Sequence, residues 1–257
     1  GRCTLPSGHG RAAGQSSFGT VPDGRTLLVC KKKSRRDWNE QRGYGCAWVW
    51  IALASQSRLI VAWLAADHKL DACRTFLQTL KERLRDIPLY MSDELGHYER
   101  VLWEIYRTVG GELPKEPPSP AIRAAEVDPL LDYARIVKTR KHHIVVKVDH
   151  DVMYGDPKRI EARLAGAKIN TSYVERFNLT LRQNNRNLGR RSLFFSKKMK
   201  DFAARVDIFV AYYNLVRLHS TLKQVVGGRN VAVTPAQAAG LCPNRWTITD
   251  LLATPSI

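Results

Sequence analysis

The stretch CAWVWIALASQSRLIVAWL, residues 46–64, decides the fold class of this chain. It contains two runs rich in Val, Ile and Trp, residues 46–53 and 59–64, separated by the polar tripeptide Ser55-Gln56-Ser57. β-Branched and aromatic residues suit a pleated strand, and a short polar break between two such runs is typical of a β-hairpin. The stretch therefore predicts two antiparallel strands of a buried sheet.

Strands and helices are predicted on both sides of this hairpin. Apolar residues that recur every three to four positions indicate helices, whereas short apolar runs between turn residues indicate strands. Further strands are expected at residues 27–30, 88–91 and 144–148, helices at 70–84, 98–109, 172–187, 197–216 and 235–241, and a proline-rich loop at 112–120.

This order of elements predicts an α/β fold with a mixed sheet flanked by helices. A hairpin supplies antiparallel neighbours, and a later strand that is reached through a helix supplies a parallel one. We expect a poorly ordered arm at residues 1–20, a core domain at 21–190 and a basic helical C-terminal extension at 191–257, packed on the core.

The charge of the chain points to a polyanionic partner. The 257 residues include 41 Lys and Arg but 24 Asp and Glu, which gives a formal net charge of +17. Such a surplus favours nucleic acid, since Lys and Arg neutralise phosphates and release counterions. No apolar run approaches the roughly 20 residues of a membrane-spanning helix, so we expect no membrane partner. The first residues, rich in Gly, Ser and Arg, lack the apolar core of a signal peptide, so we expect an intracellular location.

The five cysteines contain no CxxC pair, and their number is odd. This pattern argues against a disulfide framework and against a zinc site of cysteine pairs. Buried free thiols in a reducing compartment are the simplest expectation.

Asp93 directly follows the predicted strand at residues 88–91. Ligands of α/β proteins bind at the carboxyl ends of the strands, so this position suits a catalytic or metal-binding carboxylate. An N-cap of the following helix, or a turn aspartate, explains the residue equally well.

Three polar residues share one face of the predicted helix at residues 172–187. Glu175, Asn178 and Arg182 stand at positions i, i+3 and i+7, which is helical spacing. A carboxylate, an amide and a guanidinium together suit metal-dependent chemistry on a phosphodiester. The alternatives are a capping box formed by Ser172 and Glu175, and solvated surface positions for the other two residues.

Basic residues are concentrated around and beyond this helix. Residues 175–223 contain eleven Lys or Arg but three Asp or Glu, with Phe and Tyr between them. Basic and aromatic residues together can form a nucleic-acid surface, although several of these aromatics lie on an apolar stripe and suit a core.

Several motifs in a fixed order resemble the DDE transposases of bacterial insertion sequences, and most of all those of the insertion-sequence-one type. The similarity covers roughly residues 21–252. The motifs are TSYVERFNLTLR at residues 171–182, RRSLFFSKK at 190–198, YNLVRLH at 213–219 and TPAQAAG at 234–240.

The resemblance implies an RNase H-like core in which Asp23, Asp93 and Glu175 bind two Mg²⁺ or Mn²⁺ ions and catalyse DNA cleavage and strand transfer. It further implies a homo-oligomer on DNA, in the cytoplasm and associated with the nucleoid. The residues expected to contact DNA are Asn178, Arg182, Arg186, Arg190, Arg191, Lys197 and Lys198.

The sequence departs from the family pattern around the first acidic residue. Asp23 is followed by Gly24 and Arg25, where the family has Glu and later Trp and Phe before the lysine run. We therefore expect a truncated or degenerate N-terminal region. Two alternatives stay open: a DNA-binding remnant without catalysis, and a nuclease of the same fold that does not transpose.

Overall fold

The computed structural model describes residues 25–32, 48–93, 95–141, 144–164, 172–184 and 199–254. The strands are β1 (Arg25–Lys32), β2 (Trp48–Ala54), β3 (Ile60–Ala66), β4 (Leu89–Ser92), β5 (Asp132–Lys141), β6 (Ile144–Tyr154), β7 (His219–Val226) and β8 (Arg229–Val233). The helices are α1 (Leu70–Arg83), α2 (Gly96–Tyr106), α3 (Pro120–Glu126), α4 (Pro157–Leu164), α5 (Ser172–Asn184), α6 (Met199–Ala211), α7 (Pro235–Ala238) and α8 (Ile248–Ala253), and a π-helical turn, Tyr212–Val216, continues α6.

Six strands form one mixed sheet in the order β3-β2-β1-β4-β5-β6. β1, β2 and β3 pair antiparallel, whereas β4 lies parallel to both β1 and β5. β6 returns antiparallel to β5. The parallel pairs are possible because α1 carries the chain back between β3 and β4, and α2 and α3 do so between β4 and β5. The predicted mixed α/β sheet is thus confirmed.

β2 is buried on both of its faces. Trp50 and Ala52 pack with Phe76 and Leu80 of α1, whereas Ile51 on the other face packs with residues of α4, α5 and α6. Successive residues of a strand point to opposite faces, so a strand covered by helices on both sides must be apolar throughout. This requirement explains why every residue of β2, from Trp48 to Ala54, is apolar.

The C-terminal extension is not wholly helical, and the prediction is wrong for residues 219–233. These residues form the two-stranded antiparallel sheet β7–β8. Gly227 and Gly228 join the strands with φ of 57° and 76°, which is the left-handed backbone that a two-residue hairpin turn requires. The Gly-Gly pair was therefore the sequence signal of a hairpin.

Other elements differ from the prediction in extent or were not predicted. β5, α3, α4 and α8 were not predicted, and β6 is longer than the expected strand at residues 144–148. Among the cysteines, Cys73 is a buried free thiol as expected. Cys242 is disulfide-bonded, so the prediction of free thiols is wrong for that residue. Within the described ranges, no helix is both long and apolar enough to span a bilayer.

Asn214 joins the C-terminal segment to the edge strand of the main sheet. Its Oδ1 accepts a hydrogen bond from the backbone N–H of Ile60, and its Nδ2 donates to the carbonyl oxygen of Ile60, both at 3.0 Å. The amide thus pairs with β3 much as another strand would, and it is buried with only 3% exposed.

We expect Asn214→Ala to lower the free energy of unfolding by about 2–3 kcal/mol, because it leaves a buried N–H and a buried carbonyl of Ile60 unpaired. Denaturant unfolding measures the change. The matched control is Asn230→Ala at an exposed position of β8, which should change stability by less than about 0.5 kcal/mol. Equal effects of both substitutions would contradict this role of Asn214.

A buried carboxylate anchors α4 to the sheet. Asp132, the first residue of β5, is fully buried and forms ion pairs with Arg159 at 2.6 Å and Arg163 at 2.8 Å. The backbone of Gly155 passes so close that a Cβ there would lie 2.1 Å from Oδ1 of Asp132. Glycine at this position, with φ of 96°, is therefore a steric requirement as well as a turn residue.

We expect Asp132→Ala to destabilise the fold by about 3 kcal/mol, since it leaves two partly buried guanidinium groups without their carboxylate. Asp71→Ala removes an exposed partner of Arg74 and should cost less than about 1 kcal/mol. Thermal or denaturant unfolding of the two variants makes the comparison, and similar losses would show that burial of Asp132 does not matter.

Candidate functional site

Asp93 lies at the carboxyl end of β4, an inner strand whose parallel neighbours β1 and β5 both continue beyond it. It directly follows Ser92, whose hydroxyl donates to the backbone oxygen of Asp93 at 2.7 Å and lies 2.7 Å from the hydroxyl of Tyr133 on β5. These bonds hold the end of β4 in one conformation. The interpretation of Asp93 as an N-cap is wrong, because Leu95 is the N-cap residue of α2.

Two histidines and a tryptophan surround this strand end. The ring of His68 stacks on Trp48 with a centroid distance of 4.0 Å, and the ring of His97 lies 5.6 Å from it. Trp48 is level with Lys32, near the carboxyl end of β1. Four separate segments thus meet beside the carboxyl end of β4. Their residues, called the Asp93 cluster below, are Asp93, His68, His97 and Trp48.

The electrostatics of the cluster keep His68 uncharged near neutral pH. Burial lowers the pKa of His68, the neighbouring His97 lowers it further, and Asp93 and Asp67 raise it. Burial likewise raises the pKa of Tyr133, so that its phenol stays protonated. The end of β4 therefore has one carboxylate beside a neutral imidazole, while the neutral phenol of Tyr133 is buried against Ser92.

His68, His97 and Trp48 were not predicted from the sequence as site residues. A signal was present: His97 stands four residues after Asp93, at the start of α2, and His68 follows the end of β3 by two residues. Neither histidine belongs to a recognisable metal-binding spacing, and the pairing of the strands is what brings them together.

α5 packs on the opposite face of the sheet from α1 and α2. Phe177 and Leu181 are buried against Leu89 and Met91 of β4. The guanidinium of Arg58, in the turn between β2 and β3, lies 3.3 Å from the ring centroid of Tyr173 near the start of α5. The predicted helix is confirmed, and these contacts fix its position beside the central strands.

Asn178 is the most informative polar residue of α5. It is only 5% exposed, and its Nδ2 has no hydrogen-bond partner within the described part of the chain. A buried amide donor of this kind carries a desolvation cost of about 1–3 kcal/mol. Arg182, one turn further on, is half-buried and donates from Nε to the backbone oxygen of Asn178 at 3.2 Å.

Glu175 lies in α5 one helical turn before Asn178, so the two residues share a flank of the helix. The structure describes the backbone of Glu175 and Ser172 but not their side chains. The catalytic role of Glu175 and its alternative role in a capping box therefore both stay predictions. Asp23 and the basic residues Arg186, Arg190, Arg191, Lys197 and Lys198 also lie outside the described residues.

The described part of β1 brings no carboxylate next to Asp93. Leu28 pairs with Ser92, so the next residue, Val29, is level with Asp93. Asp23 precedes Arg25, which pairs with Leu89 at the other end of β4. In the described ranges, no three His, Cys, Asp or Glu side chains are arranged to hold a metal ion. Asp93 alone does not make the expected two-metal site.

Two of the motifs behind the transposase resemblance have structural roles here. Asn214 of the YNLVRLH motif binds β3, and the hydroxyl of Tyr213 lies 2.9 Å from Nε2 of His219 in the same motif. In the TPAQAAG motif, Thr234 and Gln237 form a capping box at the start of α7. These motifs hold the C-terminal segment against the sheet.

Comparison with known proteins identifies no relative: no protein-family model matches the chain, and no curated protein matches it. The resemblance to DDE transposases is therefore carried by the ordered sequence motifs. The Asp93 cluster and α5 supply the geometry on which a functional proposal can be built.

We expect the pKa of His68 to fall further in Asp93→Asn, because this substitution removes a charge that raises it. An NMR titration of the His68 ring measures the pKa, and Asp201→Asn, at an exposed position of α6 on the opposite face of the sheet, is the control. The prediction fails if the His68 pKa is unchanged or rises in Asp93→Asn.

The lowered pKa of His68 also determines how the stability of the protein depends on pH. Because the folded pKa of His68 lies below its ordinary value of about 6.5, the unfolded chain binds more protons below that pH. His68 therefore lowers the free energy of unfolding as the pH falls from about 6.5 through its folded pKa.

Proposed function

We propose that this chain is the catalytic domain of a DDE-type transposase with an RNase H-like fold, which cleaves DNA and joins the cut end to a target. The observation that carries the proposal is the position of Asp93 at the end of β4, with α5, the helix whose sequence includes Glu175, in contact with the adjoining strand β1. An antiparallel β1–β3 meander followed by parallel β4 and β5 is the sheet expected of such a core.

The proposed reaction uses divalent metal ions, Mg²⁺ or Mn²⁺, with Asp23, Asp93 and Glu175 as the carboxylates. Such ions activate the attacking oxygen and stabilise the leaving oxygen in phosphodiester chemistry. Asp93 is the only one of the three whose side chain is described, and one carboxylate is not a two-metal site.

Residues of α5 suit the handling of a phosphodiester. The buried Nδ2 of Asn178 can donate to an oxygen atom on the flank that Glu175 shares. Arg182 adds a positive charge one turn further along that flank. A charge-assisted hydrogen bond from a partly buried guanidinium is stronger than one in open solvent. Asn178 and Arg182 would thus orient the substrate phosphate.

Duplex DNA is the substrate class that the charge of the chain favours. The net charge of +17 is a property of the whole sequence, and the basic residues concentrated in 175–223 extend from the helix that carries Glu175. A protein that joins two DNA ends to a target also needs more than one active site near the target. We therefore propose that it acts as a homo-oligomer on DNA.

A DNA-binding remnant without catalysis is the second candidate. It is favoured by the described residues of β1, which have no acidic side chain level with Asp93. The sequence that follows Asp23 also lacks the Glu, Trp and Phe of the family pattern. In this alternative the fold and the DNA affinity persist while the two-metal chemistry is lost.

We expect the chain to nick and join duplexes that carry the DNA ends flanking its own gene, in the presence of Mg²⁺ or Mn²⁺. Asp93→Asn and Glu175→Gln should each lower this activity by about 100-fold or more, since both remove a charged carboxylate ligand. Asp71→Asn, a substitution at an exposed position of α1, should leave the activity unchanged. Gel analysis of labelled strands separates nicked, hydrolysed and joined products.

The products also distinguish the alternatives. Strand joining that survives Glu175→Gln would contradict the mechanism. Hydrolysis without joining would identify a nuclease of the same fold. Binding of the duplexes by the wild-type chain, with neither product formed under any of these conditions, would identify the remnant.

A further inference from the structure

The β7–β8 hairpin projects from the body of the protein as a ribbon that is exposed on both faces. Every residue from Lys223 to Val226 and from Arg229 to Val231 is exposed. Val225 and Val226 next to the turn are 73% and 60% exposed. An isolated two-stranded ribbon is only marginally stable, and adjoining exposed apolar side chains at its tip are a feature of binding surfaces.

The base of the ribbon is firmly attached. Leu222 and Val233 are buried, and the side-chain amide of Gln224 donates to the backbone oxygen of Gln237 in α7 at 3.2 Å. Tyr213 and His219 tie the start of β7 to the π-helical turn. The ribbon is thus a fixed projection, and what it binds meets it in a defined orientation.

The charge of this region favours a polyanion over a second protein surface of ordinary composition. From residue 208 to residue 249 the sequence contains no Asp or Glu, while it contains Arg217, Lys223, Arg229 and Arg245. Within the described part of the chain, neither Lys223 nor Arg229 forms an ion pair with a carboxylate. Their charges are therefore available for phosphates.

The side chains near the turn have the chemistry that reads base edges. Arg229 pairs across the ribbon with Val226, and Asn230 pairs with Val225. Residues directly opposite each other point to the same face, so each face presents one polar group beside one valine. In the major groove, Arg recognises guanine, Asn recognises adenine, and apolar side chains contact the thymine methyl group.

The dimensions agree with this use. From the Lys223–Ala232 pair to the Val226–Arg229 pair the ribbon extends by three residues, or about 10 Å. The major groove is about 12 Å wide and 8.5 Å deep and admits a two-stranded β-ribbon. The exposed part of the ribbon can therefore reach the floor of the groove while its base stays outside.

We infer that the β7–β8 ribbon enters the major groove of duplex DNA and reads its sequence through Arg229, Asn230 and the adjacent valines, with Lys223 on the phosphate backbone. This inference rests on the proposed function, in which duplex DNA is the substrate. It adds a sequence-reading element that is separate from the Asp93 cluster and from α5.

Selection from a pool of random-sequence duplexes tests the inference with the full chain. The wild-type chain should enrich a short sequence, and Lys115→Ala, which removes an exposed lysine from the proline-rich loop, should enrich the same one. Arg229→Ala/Asn230→Ala should lose the enrichment and bind the selected duplex about 10-fold to 100-fold more weakly, as expected for lost base contacts. Its melting temperature should stay at the wild-type value, since both positions are exposed.

A salt titration separates the backbone contact from base reading. Lys223→Ala should reduce the slope of log affinity against log salt by about one and weaken all duplexes alike. Lys115→Ala should leave the slope unchanged. An unchanged slope in Lys223→Ala would overturn the assignment of that residue to the phosphate backbone.

The other outcomes overturn the inference without deciding the proposed function. If Arg229→Ala/Asn230→Ala enriches the wild-type sequence, or if the wild-type chain enriches none, the ribbon does not read DNA. A concentration-dependent dimer that these substitutions disperse, with no sequence enriched, would identify a second copy as the occupant. In each case the nicking and joining assay still reports on the catalytic proposal, because it depends on Asp93 and Glu175.

Discussion

The structure depends on the burial of the central strands between two layers of helices. β2 contributes Trp50 and Ala52 to one apolar cluster and Ile51 to the other, so neither layer of helices can be removed without exposing it. Polar backbone groups in such a strand must be paired within the sheet, because no water reaches them. The amide of Asn214 extends this rule to the edge strand β3, where no further strand is available.

The two layers of helices on the sheet also determine where a functional site can lie. With both faces covered, the carboxyl end of the short inner strand β4 is a place where polar groups can gather, and it holds Asp93 with His68, His97 and Trp48. The pKa of His68 is low because the cluster is partly buried and contains a second histidine, while the carboxylate of Asp93 opposes both effects. The donor group of Asn178 on α5 is a second polar feature that the fold keeps away from water at an energetic cost.

The C-terminal segment is attached to the main sheet and also carries the exposed β7–β8 ribbon. Tyr213, Asn214 and Thr234 belong to motifs that suggested a transposase, yet their contacts explain them as packing and capping residues. Such motifs can therefore serve the geometry of the fold without contacting a substrate. The part of the ribbon next to its turn, from Val225 to Asn230, is exposed on both faces and packs against nothing else in the described part of the chain.

The sequence by itself determined the elements whose burial leaves a local pattern: the hairpin β2–β3, the amphipathic α1, and the strand before Asp93. It also determined the charge of +17 and the shared flank of Glu175, Asn178 and Arg182. It did not reveal β5, because the C-terminal half of that strand is basic. It did not reveal β7–β8 either, because strands with two exposed faces show no alternation of apolar and polar residues. Only the tertiary structure decided that His68, His97 and Trp48 surround Asp93 and that Val29 is level with it. Those relations follow from strand register, and register depends on contacts between segments far apart in the chain, which local periodicity does not encode.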